Sequence, residues 1–137
     1  MKKFKFSKRL LYPLSIILVA VAFMIPMWIS GISDGMDLNQ HFQFASSVER
    51  AILNGDYFPH WAGEENHGYG GIGLRFYPPL AYYVLASAKI LTDDWFWASC
   101  LAFFFWAALS GFGVYFWARE WFSEKASLVA AALYIFA

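Results

Sequence analysis

The sequence predicts an all-α membrane protein, with polytopic transmembrane helices and an external loop that carries juxtamembrane helices. Five basic residues crowd the first nine positions (Lys2, Lys3, Lys5, Lys8 and Arg9), and a charge-free run follows from Leu10 to Ser33. A second run, Trp95 to Ala118, carries no charge over 24 residues. The chain is 60% hydrophobic and 22% aromatic but only 15% charged, whereas about a quarter of a soluble domain is charged.

The elements follow in order. Residues 1–9 read as a cytoplasmic basic tail and residues 10–32 as transmembrane helix 1. A span needs roughly 20 helical residues, and flanking basic residues hold their end in the cytoplasm. A cleaved signal peptide is the rival reading. Against it, the apolar run exceeds an h-region of about 7 to 15 residues, it contains Pro13 and Pro26, and no Ala-x-Ala-like site follows it.

Residues 33–94 then form the external loop. Its first half predicts an amphipathic helix over about 37–54: Asp37 stands at an N-cap position with Gln40 three residues on, Phe42, Phe44, Ala45, Val48, Ala51, Ile52 and Leu53 supply apolar positions at roughly helical spacing, and Asn54-Gly55 stops it. A later apolar stretch, Phe76 to Leu91, covers only roughly 24 Å at 1.5 Å per residue and carries Lys89. It predicts an interfacial helix over about 77–91, opened by Pro78-Pro79 and anchored by Tyr77, Tyr82 and Tyr83.

Charge parity supports that reading. Residues 95–118 form transmembrane helix 2, and Arg119 and Lys125 mark residues 119–125 as a cytoplasmic turn, diluted by Glu120 and Glu124. Asp93 and Asp94 are then external, provided that 77–91 does not cross. The competing topology makes it a short crossing and puts the Asp pair inside. Residues 126–137 read as the start of a truncated transmembrane helix 3, so the expected partners are the lipid bilayer and further C-terminal helices of the same chain. Ala107 and Gly111, with Ser110 and Gly113 nearby, offer a small-residue face for such helices.

Several function classes are excluded or unsupported. Net charge is zero, and the one basic cluster is accounted for by membrane orientation, so no case exists for nucleic acid. The single Cys100 builds neither a disulfide framework nor a cysteine zinc site. Gly68, Gly70 and Gly73 match G-x-G-x-x-G, but no strand precedes them and no helix opens directly after them. The match is accidental, and the glycines read as close backbone packing that leaves Tyr69 and Arg75 to line a phosphate or sugar cavity.

The loop is where chemistry concentrates. From Gly31 to Arg75 it holds Asp34, Asp37, Glu49, Asp56, Glu64 and Glu65, all three histidines (His41, His60 and His67) and only Arg50 and Arg75 as bases. Asp37 and His41 are four apart, on one face of a helix's first turn, in reach of a shared ligand, metal or proton. Asp37 as a cap alone and His41 as an ordinary interfacial histidine are the plainer readings. Zinc is disfavoured, because only His60, Glu64 and His67 remain to complete a site and their spacing is unrecognisable. Trp61, beside His60, suits either stacking on a sugar or anchoring at the interface.

The ordered motifs Ser33-Asp34-Gly35-Met36-Asp37-Leu38-Asn39-Gln40-His41, Gly55-Asp56-Tyr57-Phe58-Pro59-His60-Trp61, Gly68-Tyr69-Gly70-Gly71 and Phe76-Tyr77-Pro78-Pro79-Leu80-Ala81-Tyr82-Tyr83 resemble the start of a bacterial multispanning family. That family is the 6-pyruvoyl-tetrahydropterin synthase-related membrane proteins, similar in turn to GT-C glycosyltransferases. The pterin-enzyme label implies no activity here, since that enzyme's histidine metal site is absent from the sequence.

The resemblance implies a GT-C-like N-terminal part in the bacterial inner membrane, with the N-terminus cytoplasmic and a polyprenyl-phosphate-linked sugar as donor. It places Asp37 as general base or metal ligand, with His41 assisting. Arg75, Tyr69, Trp61 and His60 are then donor-binding candidates. Position 39 is Asn, so a two-carboxylate site for a divalent cation would need Asp34 beside Asp37. The alternative is a non-catalytic membrane protein for polysaccharide or lipid binding, assembly or export. A transporter is less suited, because neither long span carries a charge.

Overall fold

The structure, a computed structural model, describes residues 8–32, 35 and 37–137, with side chains from Leu10 onward. Among these residues it is helical and has no named strand: α1 (Lys8–Phe23), α2 (Ile25–Ser30), α3 (Leu38–Leu53), the single turn α4 (Glu65–Gly68), a 3-10 turn (Gly73–Arg75), α5 (Pro79–Thr92), α6 (Trp95–Ala118) and α7 (Glu124–Phe136). The chain divides into two compact units, Met1–Ile29 with Phe103–Ala137, and Ser30–Ala102. The side chains of the basic tail lie outside the described residues.

In the first unit α1 packs on α7, and the second half of α6 joins them through a core of Ile16, Ala20, Ala107, Tyr115, Ala131 and Ile135. Small residues supply much of that interior, and Gly111 faces Ile16 and Ile135 so closely that a Cβ there would collide with both. Large apolar side chains such as Leu14, Leu18, Phe105, Leu109 and Leu133 point outward. A soluble core inverts that distribution, whereas lipid-exposed bundles pack small residues inward and tolerate apolar surface outside.

Leu10–Ser30 and Trp95–Ala118 are long and apolar enough to cross a membrane, with mean hydropathies of 2.3 and 1.6. Only 17% and 33% of them are buried, unlike the core helix of a soluble protein. The stretch expected as one helix over 10–32 is broken at Met24. Pro26 cannot donate to Ala22, so Met24 turns tightly onto Val21 O (3.0 Å) and Trp28 resumes α-type bonding to Met24 O (3.1 Å).

In the second unit α3 packs against α5 around Phe44, Ala45, Val48, Tyr82 and Ala86, with Ala62 and Leu74 closing the cluster from the intervening chain. Asn54-Gly55 ends α3 with Gly55 at φ +83° while Asp56 N–H returns to Ala51 O at 2.8 Å, a glycine-dependent helix stop. Pro79 opens α5, where its missing N–H leaves no bond unmade. Asp93 closes α5 in the left-handed region at φ +54°, and Lys89 Nζ reaches its carboxylate at 2.9 Å. Asp94 Oδ1 then accepts Trp97 N–H at 2.9 Å and starts α6.

Candidate functional site

The candidate site lies on the α3–α5 pair. Along α3 the core face carries Phe44, Ala45 and Val48, and Asp37 and His41 precede them on the same side of the helix. His41 Nδ1 and the Tyr82 hydroxyl share a hydrogen bond at 2.9 Å, and their rings lie 5.9 Å apart at 27°. Tyr77 meets the imidazole edge-on at 5.8 Å and 89°, and Phe44 closes another side at 6.5 Å. Three aromatic rings and one hydroxyl thus fix the orientation of the histidine. Burial raises the Tyr82 phenol above its ordinary pKa of 10.0, and neighbouring Tyr77 adds to the shift.

Asp37 occupies the N-cap position without capping. Its backbone sits at φ −102°, ψ −2°, in the helical region, and its side chain makes no cap hydrogen bond. A capping side chain needs an extended backbone to swing back over the N2 and N3 amides. Gln40, which a capping box would turn back onto Asp37, instead donates to Glu65 Oε1 at 3.1 Å. The exposed Asp37 carboxylate has no hydrogen bond or ion pair among the described residues. Its link to His41 is through the backbone, with His41 N–H donating to Asp37 O at 3.0 Å.

Among the described residues none of the remaining candidates hydrogen-bonds, ion-pairs or stacks with Asp37 or His41. Arg75, Tyr69 and His60 are exposed, and their side chains have no hydrogen-bond, ion-pair or ring partner among the described residues. Trp61 is half-exposed and lies under Gly70, where a Cβ would strike its indole. Among the described residues no group of three His, Cys, Asp or Glu side chains could hold a metal ion, and Asp34 lies outside them. Among the described residues the donor set that a divalent cation requires does not come together around Asp37.

The glycine-rich segment turns out to be built around α3. Ala62 and Gly71 pair as an isolated antiparallel bridge, each amide bonding the other's carbonyl at 2.8 and 3.0 Å. Between them Asn66, His67 and Gly68 take left-handed backbone at φ +51°, +57° and +91°, and Asn66 Nδ2 ties the turn to Gly70 O at 2.9 Å. Gly71 lets the buried Glu65 carboxylate lie against the backbone, and Gly73 does the same for the Phe44 ring. Of the three glycines for which close packing was expected, Gly73 lies against α3 and Gly70 against Trp61, while nothing lies within 4 Å of a Cβ at Gly68.

Two features were missed by sequence reasoning. One is the Tyr77–Tyr82 enclosure of His41, for which the signal was the Pro78-Pro79 start that sets the register of α5. The other is an open groove of about 430 Å³ lined by Asn39, Phe42, Gln43, Ser46, Glu64 and Trp95. It lies on the face of α3 turned away from His41, and Arg50 holds Glu64 at its side with a 2.6 Å ion pair.

Residues 74–137 match a family model described as 6-pyruvoyl-tetrahydropterin synthase related domain; membrane protein. The matched stretch covers α5, α6 and α7 and takes in Arg75, Tyr77 and Tyr82, but neither Asp37 nor His41. No curated protein and no solved structure matches the chain.

Proposed function

We propose that the chain takes part in sugar transfer from a polyprenyl-phosphate-linked donor at the outer face of a bacterial inner membrane, as the likeness to GT-C glycosyltransferases implies. In this reading the N-terminus is cytoplasmic, Leu10–Ser30 and Trp95–Ala118 cross the bilayer, and the segment between them faces outward. The observation that carries the catalytic part is the Asp37 carboxylate: exposed, without a hydrogen bond or ion pair among the described residues, and one helical turn before a histidine whose ring is fixed by Tyr82.

The chemistry assigned to Asp37 is that of a general base. An acceptor hydroxyl oxygen bonds the anomeric carbon, the bond from that carbon to the donor phosphate oxygen breaks, and polyprenyl phosphate leaves with the electron pair. The hydroxyl proton passes to Asp37. His41 orients the acceptor, and Arg75 meets the donor phosphate with Tyr69, Trp61 and His60 nearby.

The second reading is a non-catalytic membrane protein that binds or exports polysaccharide or lipid. It is favoured by His41 being held within its own aromatic enclosure. Asp37→Asn separates the two. Because the side chain caps nothing, the variant should keep its thermal midpoint within about 0.5 kcal/mol of the parent, while membranes containing it lose transfer of radiolabelled sugar from the lipid-linked donor. Retained transfer at normal expression would remove Asp37 from the chemistry. A cysteine placed at Asp93 should react with an impermeant maleimide from outside the cell, and labelling from the cytoplasm alone would reverse the orientation.

A further inference from the structure

The second unit has an apolar surface that its own fold does not use. Phe58 is 78% exposed, Tyr69 86% and Phe76 75%, with Trp61 and Ile72 more than half exposed beside them. The Ala62–Gly71 bridge and the contact of Trp61 with Gly70 join Trp61, Tyr69 and Ile72 through one two-stranded turn, which Phe58 and Phe76 flank in sequence. Large apolar side chains exposed together on one segment mark an interaction site more than residues scattered singly do.

Charge is sorted around the turn. From Tyr57 to Gly63 there is no formally charged residue, and from Tyr69 to Ala88 Arg75 is the only one. The acidic side chains of the turn are drawn onto α3, Glu64 by Arg50 and Glu65 by Gln40. Asp56, at the edge, folds its carboxylate back onto Phe58 N–H at 3.0 Å. What remains outward is Trp, Tyr, Phe and Ile with one guanidinium, beside the polar side chains of His60, Asn66 and His67; amphipathic aromatics and a basic residue settle at the level of lipid headgroups.

We infer that the turn carrying Phe58, Trp61, Tyr69, Ile72 and Phe76 inserts into the headgroup layer of the bilayer, with Arg75 at phosphate depth. The occupant is lipid because the chain enters this unit from one candidate span, ending at Ser30, and leaves it directly into another, starting at Trp95. The unit that carries the turn is therefore tethered to the bilayer at both of its ends. The inference rests on the membrane reading and adds to it: the guanidinium is held where a lipid-linked phosphate lies, without a dedicated pocket.

Nitroxide accessibility tests it on the full chain in phosphatidylethanolamine–phosphatidylglycerol vesicles, in a Cys100→Ala background. Labels replace Tyr69 and Phe76, whose exposure spares the fold, with Gln43→Cys as a water-side reference and Leu109→Cys as a reference for the span. At 69 and 76, oxygen accessibility should exceed that of a water-soluble nickel chelate, at a depth between the two references. Nickel accessibility at 69 and 76 equal to that at 43, with 109 in lipid, overturns the insertion and leaves the membrane reading standing. Water exposure at 109 as well overturns both. Labels at 69 and 76 that neither reagent reaches mean protein covers the turn, which also overturns it.

Discussion

His41 Nδ1 lies 2.9 Å from the Tyr82 hydroxyl, and the two rings lie at 27° to one another, so one α5 side chain both hydrogen-bonds and stacks on the histidine of α3. Tyr82 is 5% exposed and belongs to the core of the second unit. The same ring therefore holds α3 to α5 and sets the orientation of His41.

Tyr82→Phe keeps the stack and removes the hydroxyl, so the loss in thermal unfolding should be about 1 kcal/mol. The phenol's pKa in the fold is raised above the value of the unfolded chain, which fixes the sign of its pH dependence. Its contribution to stability is complete below about pH 10, the ordinary tyrosine value, and declines as pH rises through the raised value. In absorbance at 295 nm, the difference between wild type and Tyr82→Phe should titrate above pH 10. Titration at or below 10 would mean that water reaches the ring.

Gly73 and Gly63 form a matched pair in the same loop. A Cβ at Gly73 runs into the ring of the fully buried Phe44, while nothing lies within 4 Å of one at Gly63. Gly73→Ala should destabilise by about 1 to 3 kcal/mol, the usual range for overpacking. Gly63→Ala should stay within about 0.5 kcal/mol of wild type. Differential scanning fluorimetry in detergent reads both, and equal effects would refute the close approach of the glycine segment to α3.

Gly111 and Gly113 pose the same question inside α6. A Cβ at Gly111 meets Ile135 and Ile16, whereas one at Gly113 meets nothing. Gly111→Leu should lower the thermal midpoint by the equivalent of about 1 to 3 kcal/mol, and Gly113→Leu should leave it nearly unchanged. The small-residue face noted in the sequence for outside helices is thus taken at Gly111 and Ala107 by α1 and α7 of the same chain, and at Gly113 it stays open.

All-α character was legible because its causes are local. Charge-free length gave Trp95–Ala118, apolar spacing with Asn54-Gly55 gave the helix that α3 occupies, and Pro78-Pro79 marked where α5 opens. The break at Met24 was harder to read, since a proline in an apolar run signals a kink without saying how the backbone rejoins. At the site, Asp37 looked like a cap because sequence supplies the residue type but not φ and ψ.

The sequence by itself determined which stretches are helices, where charge is absent and which residues can do chemistry, since hydropathy, helix stops and side-chain type act over a few residues of chain. Only the tertiary structure decided that His41 belongs to Tyr82, that Gln40 serves Glu65 rather than Asp37, and that the glycines make room for Phe44 and Glu65. The first two pairings join positions 41 and 25 residues apart. They depend on how α3 and the turn pack against α5, which no local pattern encodes.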